Sequence, residues 1–85
     1  MLKKKTQLRE AVRELIESFP RGKKFACGDL YRYLEQNYPR ECSERGDAAN
    51  EPRYRHDARA AVWDLMPSGL GLIKRTGVPG ERERL

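Results

Sequence analysis

Arginine side chains are concentrated in the segment 52–65, where Arg53, Arg55 and Arg59 surround a single histidine, His56. Guanidinium groups can pair with guanine edges through two parallel hydrogen bonds, and they can also clamp phosphates. At about 100° per residue, Arg55, His56 and Arg59 would share one outward arc of a helix with Trp63. This segment therefore predicts a helix that binds a polyanion.

A second group of cations follows in residues 71–85, around the sequence Gly77-Val-Pro-Gly80. The pattern predicts two strands joined by a tight turn. The cations that we expect to contact a phosphate backbone are Lys74, Arg75, Arg82 and Arg84. Because Glu81 and Glu83 lie on the same strands, cross-strand ion pairing is the alternative interpretation.

Two further basic segments lie toward the start of the chain. Arg21, Lys23 and Lys24 precede a predicted strand without a compensating acid, and we expect Lys23 and Lys24 to make backbone contacts. A solubilising bend would have the same composition. Residues 1–5 have the composition of a basic, disordered tail.

Other interpretations of the 52–65 helix remain open at this point. Asp57 and Asp64 could pair with nearby arginines, which would make the basic arc an ordinary solvated face. Trp63 could stack on a nucleic acid or cover a phosphate path, but tryptophan is also a frequent core or interface residue.

Catalytic and metal chemistry have little support in the sequence. The one histidine excludes any centre that needs two, and Cys27 and Cys42 lack the close spacing of a structural zinc site. We therefore expect no enzyme activity, no cofactor and no metal. Cys27 has the surroundings of a small buried residue, whereas we expect Cys42 to be an exposed thiol.

Composition and charge favour an acidic partner. The 85 residues carry a formal charge of +5, and the sequence pI is about 9.5. A chain of this length makes one domain. Charged residues interrupt the stretch after Lys5, so neither a signal-peptide core nor a membrane span of ~20 apolar residues is predicted. We expect no membrane partner and a cytoplasmic location, associated with the nucleoid if the source is prokaryotic.

Apolar periodicity in the first half of the chain predicts a helix, a short strand and a second helix. The first helix runs from about Thr6 to Phe19. Its apolar face comprises Leu8, Val12, Leu15, Ile16 and Phe19. Lys24-Phe25-Ala26 suits a third strand beside the hairpin, with Phe25 pointing into the core. Asp29 would cap a second helix from Leu30 to about Tyr38.

The second half predicts a loop and a third helix before the hairpin. Residues 40–50 lack apolar periodicity and predict an exposed, mobile loop. Pro52 suits the first turn of the third helix, with Asn50 or Glu51 as its cap. The side of that helix predicted to face the core comprises Tyr54, Ala58, Ala61, Val62 and Leu65.

This order of elements, with Gly71-Leu-Ile-Lys-Arg before a turn and Arg82-Glu-Arg-Leu after it, resembles the winged helix-turn-helix family over residues 6–85. The resemblance implies a small α+β domain of three helices, a C-terminal β-hairpin wing and a short third strand. It implies that the third helix enters the major groove and that the wing touches the flanking backbone or minor groove. The residues it would bring to DNA are Arg53, Arg55, His56 and Arg59 on the helix and Lys74, Arg75, Arg82 and Arg84 on the wing.

We therefore expect non-enzymatic binding of double-stranded DNA by a small transcriptional regulator. The same fold could instead serve as a protein-interaction module that meets its partner through the loop at residues 40–51 or through Trp63. RNA binding is a third possibility that the same charges permit.

Overall fold

The computed structural model describes residues 4–47 and 50–85. In these ranges the chain forms four helices and a three-stranded antiparallel sheet, so the fold is a small α+β domain. The elements are α1 (Lys4–Ser18), β1 (Lys24–Ala26), α2 (Cys27–Asn37), α3 (Pro39–Arg45), α4 (Arg53–Leu65), β2 (Ile73–Arg75) and β3 (Glu81–Arg84). Of the basic tail predicted for residues 1–5, residues 1–3 lie outside the described residues. None of the helices in the described ranges combines the length and apolar character needed to cross a membrane.

Helix α1 supplies one wall of the core, as its periodicity predicts. Leu8, Val12 and Ile16 form a stripe that is completely buried. The stripe packs mainly against α4, where Ala58 and Ala61 are buried. Small side chains at the contact let two helices approach closely, so α4 lies directly on α1.

Helix α2 begins earlier than predicted, at Cys27 instead of Leu30. Asp29 is therefore not the cap residue that precedes the helix but stands inside its first turn. Its carboxylate accepts a hydrogen bond from the Ala26 backbone N–H, at 2.9 Å, and one from Arg32. Both bonds lower the pKa of Asp29, and the bond from Ala26 has the larger effect. Asp29 still stabilises the helix start, although from a different position.

The prediction of an exposed, mobile loop at residues 40–50 is wrong for its first half. Residues 39–45 form α3, with Pro39 in the first turn, where a missing N–H costs nothing. Arg45 in the last turn and Glu41 in the first complement the helix dipole. Cys42, predicted to be an exposed thiol, is only 7% exposed and belongs to the core. Cys42 is the one buried residue of this short helix, so the sequence of α3 has no apolar periodicity.

Backbone contacts hold the connection from α3 to α4. Asp47 and Pro52 form an isolated antiparallel bridge, and the Arg53 N–H donates to the Gly46 carbonyl at 3.0 Å. Pro52, in extended conformation, is itself the residue that precedes α4, and no side chain caps the helix. The prediction that Asn50 or Glu51 caps this helix is therefore wrong.

An ion pair fastens α3 to α4. Arg45 donates to both carboxylate oxygens of Asp57, at 2.7 and 3.2 Å, and the Asp57 side chain is only 3% exposed. The hydrogen bond to Asp57 raises the pKa of Arg45. Two parallel bonds from one guanidinium constrain distance and orientation together. The contact therefore fixes how α4 is rotated about its own axis.

Tight packing ends α4 and leads into the sheet. The Leu70 N–H donates to the Asp64 carbonyl at 3.0 Å, and the Gly71 N–H donates to Met66 at the same distance. A Cβ atom at Gly69 would overlap the Asp64 carbonyl, so only glycine fits this close approach. The predicted helix end at residues 67–71 is confirmed.

The sheet has the order β1-β3-β2, with β3 antiparallel to both neighbours. This confirms that residues 24–26 form a third strand beside the hairpin. Phe25 lies opposite Arg82, and Ile73 lies opposite Arg84. Residues directly opposite in antiparallel strands share a face. Since Phe25 and Ile73 are core residues, that face is the inner face of the sheet.

Replacing Arg45 by alanine should destabilise the domain by about 3 kcal/mol, because it leaves the Asp57 carboxylate buried without its partner. The free energy of unfolding in urea measures the effect. Arg13→Ala, which breaks an exposed pair with Glu17 on α1, is the matched control and should cost about 0.5 kcal/mol or less. Equal losses in the two variants would contradict the role given to Arg45.

Candidate nucleic-acid interface

The exposed side of α4 carries four of the residues predicted to gather there. We call this set, Arg55, His56, Arg59 and Trp63, the outer arc of α4. His56 is exposed, Arg55 and Arg59 are partly exposed, and Trp63 is 61% exposed. Their positions confirm the predicted division of α4, because all five residues predicted to face the core are buried. Arg53, at the first position of the helix, is exposed beside the arc.

Arg59 is held by an acidic partner that the sequence did not identify. Its guanidinium donates to both oxygens of the Glu51 carboxylate and to the Tyr31 hydroxyl oxygen, the latter at 2.9 Å. Both sets of bonds raise the pKa of Arg59, and those to Glu51 have the larger effect. The bond from Arg59 in turn lowers the pKa of Glu51. In the protein alone, the charge of Arg59 is thus largely matched by Glu51.

His56 shares the same carboxylate. Its Nε2 atom lies 3.0 Å from an oxygen of Glu51. One acid therefore contacts two of the three basic residues on the outer arc. An anion that binds Arg59 or His56 has to compete with Glu51, which precedes α4.

Arg55 is positioned by aromatic rings. Its guanidinium lies 5.1 Å from the ring centre of Tyr31 and 5.9 Å from that of Tyr54. Tyr54 is itself anchored, because its hydroxyl donates to Glu35 of α2. The hydrogen bond with Tyr54 raises the pKa of Arg55. Stacking orients a guanidinium while leaving N–H groups at its edge able to donate elsewhere.

The four cations of the hairpin do not share one surface. Lys74 lies on the outer face of the sheet, 3.9 Å from Glu83, in one of the cross-strand ion pairs considered above. Arg82 and Arg84 lie on the inner face and are half-buried. Their guanidinium groups donate to backbone carbonyls, Arg82 to Glu81 and Arg84 to Leu72 and Leu85.

Arg75 connects the hairpin to α4. Its guanidinium lies over the Trp63 ring, 5.9 Å from the ring centre. The outer arc of α4 and the base of the hairpin therefore meet at this contact. Of the predicted hairpin cations, Arg75 is the one for which a contact with the outer arc is observed among the described residues.

The basic cluster before β1 lies at the opposite edge of the sheet from β2. Arg21, Lys23 and Lys24 are exposed, and Lys23 lies over the Phe19 ring at 5.4 Å. Lys24 is opposite Glu83 on the outer face. These residues therefore lie at the sheet edge opposite β2, the strand whose Arg75 contacts the outer arc.

Cys27 is less buried than predicted, and Cys42 is buried where an exposed thiol was predicted. Cys27 is only partly buried at the start of α2, whereas Cys42 is in the core. Burial, with smaller effects from Glu35 and other acids, raises the pKa of Cys42 to about 11. No group of three or more histidine, cysteine or acidic residues in the described ranges is arranged to hold a metal ion.

No family model, no curated protein and no solved structure matches this chain. The surface formed by α4 and the hairpin is therefore the feature of the molecule that points to a function.

At pH 8, Cys27 should react with a soluble thiol reagent much faster than Cys42, because only a thiolate reacts and burial keeps Cys42 protonated. Mass spectrometry of the intact protein during labelling measures the two rates. In urea the two rates should converge. Fast labelling of Cys42 in the folded Cys27→Ser variant would contradict its place in the core.

Proposed function

We propose that this protein binds double-stranded DNA without catalysing a reaction, as a winged-helix domain in which α4 enters the major groove and the β2–β3 hairpin lies on the adjacent backbone. The observation that carries the proposal is the contact between Trp63 and Arg75. It joins the exposed basic side of a helix to the base of a hairpin. A surface built in this way can contact bases and backbone together.

The order of elements supports the winged-helix interpretation. Apart from α3, the chain runs through α1, β1, α2, α4 and the antiparallel strands β2 and β3. The short strand β1 pairs with β3, the last strand. The difference from the expected pattern is α3, which occupies part of the long connection between α2 and α4. Since α3 is fastened to α4 by Arg45 and Asp57, it supports α4 from the side away from the outer arc.

The residues proposed to contact DNA follow from their exposure. Arg53, Arg55, His56 and Arg59 would face the groove, and Arg75 would be the principal wing contact. Lys74, Lys23 and Lys24 are exposed at more distant positions and would add nonspecific attraction. Arg82 and Arg84 lie on the inner face of the hairpin, so they would contact DNA from that face alone.

Glu51 gives the proposed interface an internal competitor. It contacts Arg59 and His56 before any DNA is present. A phosphate or a guanine edge would have to replace this carboxylate. A ligand would therefore bind favourably only if its hydrogen bonds to the Arg59 guanidinium are as strong as those from Glu51. An acid of this kind lowers affinity for all anions and can sharpen the choice among them.

The proposed protein would act inside the cell, where its ligand is found, as a small transcriptional regulator. Apolar exposure favours a second candidate function, in which the same domain binds a protein. Trp63, Leu70 and Val78 are each more than half exposed. Capture from lysate that survives nuclease treatment would favour this candidate over DNA, and competition with RNA would distinguish the two nucleic acids.

Selection from a random duplex library, followed by affinity measurements over a salt series, tests the proposal. The logarithm of the binding constant should fall with the logarithm of salt concentration by about 0.9 for each phosphate neutralised. Arg59→Ala should cost roughly 1–3 kcal/mol on the selected sequence and less on random DNA. Lys74→Ala should weaken all sequences alike. Absence of salt-dependent duplex binding would refute the proposal.

Replacing Glu51 by glutamine should tighten DNA binding severalfold and weaken sequence preference, because Arg59 and His56 lose their competing carboxylate. Fluorescence anisotropy with selected and random duplexes measures both effects. Glu17→Gln removes the same charge from an exposed pair on α1 and serves as the control for net charge. If the two variants change affinity equally, Glu51 has no special role.

A further inference from the structure

The inner face of the β2–β3 hairpin holds two arginines side by side. Arg75 and Arg82 are directly opposite each other across the two strands. Like charges in this arrangement repel and destabilise a sheet. The acids of the hairpin do not relieve the repulsion from the same face, because Glu81 and Glu83 occupy the alternate positions of β3 and face outward. The Thr76 hydroxyl donates a hydrogen bond to the Glu81 carboxylate and helps to hold it on the outer face.

The two arginines border an open cleft of about 400 Å³ under the hairpin turn. Its lining is Arg75, Gly77, Val78, Pro79, Gly80 and Arg82. The Nε atom of Arg82 is buried and has no hydrogen-bond partner among the described residues. The cleft is thus lined by two positively charged side chains, one of which has an unsatisfied donor, and its volume suits a small organic anion.

An exposed indole lies next to this cleft. Arg75 borders the cleft and also lies over Trp63, so one side chain belongs to both features. Trp63 is 61% exposed even with Arg75 over its ring, which leaves a large apolar surface open. A flat aromatic surface beside two arginines matches the two parts of a nucleotide, because bases stack on indole and phosphates pair with guanidinium groups.

We propose that Trp63, Arg75 and Arg82 form a site for one nucleotide whose base is not stacked within a duplex. The phosphate lies between the two arginines and the base stacks on Trp63. In the full complex, which rests on the proposed DNA-binding function, this nucleotide belongs to a single-stranded extension or an unpaired base at the edge of the duplex. The domain then distinguishes interrupted or open duplex from continuous duplex.

Trp63 is the single tryptophan of the chain, so its fluorescence reports on any ligand that reaches this ring. The experiment compares a blunt duplex, the same duplex with a single-stranded extension, thymidine monophosphate and inorganic phosphate. The extended duplex should quench Trp63 more strongly than the blunt duplex does and bind about tenfold more tightly, as expected for one stacked base. Thymidine monophosphate should quench saturably, and inorganic phosphate should require higher concentrations.

Variants assign the effect to the site. Trp63→Leu should remove the preference for the extended duplex, so that the blunt and extended duplexes bind this variant with equal affinity. Arg82→Gln should weaken both the preference and the quenching by thymidine monophosphate. Arg75→Gln, at an exposed position, gives the same test if Arg82→Gln does not fold by circular dichroism. Arg40→Gln, at an exposed position on α3, removes the same charge and should change neither measurement.

Each result identifies which proposal fails. Equal affinity for the blunt and extended duplexes, with equal quenching of Trp63 by the two, overturns the nucleotide site and leaves duplex binding intact. Saturable quenching by thymidine monophosphate without affinity for any duplex supports the site and overturns the proposed DNA-binding function. Absence of both overturns the two together.

Discussion

The buried pair of Arg45 and Asp57 determines which side of α4 reaches solvent. A carboxylate that is almost fully enclosed requires a partner, and Arg45 supplies both hydrogen bonds from the end of α3. With Asp57 held in this way, and with Ala58 and Ala61 against α1, α4 has one stable rotation about its axis. The outer arc faces solvent as a consequence. An apolar contact alone would tolerate small rotations that a bidentate ion pair does not.

The proposed interface is less positive than the net charge of the chain suggests. Glu51 contacts Arg59 and His56, while Glu83 lies near Lys74. Arg75 and Arg82 differ, since the acids of their hairpin face the other way. Local pairing, and not the total of +5, therefore decides where an anion is attracted.

Periodicity in the sequence was sufficient to predict α1, the core side of α4, the hairpin and the third strand. It missed α3 because a helix of seven residues with one buried side chain has no repeating apolar pattern. It misplaced the start of α2 because Asp29 stabilises a helix equally well as its cap or within its first turn. The winged-helix assignment and the DNA contacts go beyond these elements and remain proposals.

The candidate site was predictable in part. Lys74 and Arg75 are consecutive in one strand and therefore face opposite sides of the sheet, which already argues against one common surface for all the hairpin cations. Which face turns inward depends on the pairing with β1, and sequence alone does not give that register. The contact between Glu51 and Arg59 also depends on how the chain bends before α4. Contacts set by a bend or by pairing between distant segments carry no local signal.

The position of β3 in the middle of the sheet has a mechanical consequence. One edge of β3 is bonded to β1, which continues without a break into α2, and the other edge is bonded to β2. The hairpin is therefore not an arm that swings on a hinge, because lifting it would break the ladder between β1 and β3 and uncover Phe25 and Ile73. A force applied at its turn is transmitted through β1 to the helices, so the domain meets a ligand as one rigid body.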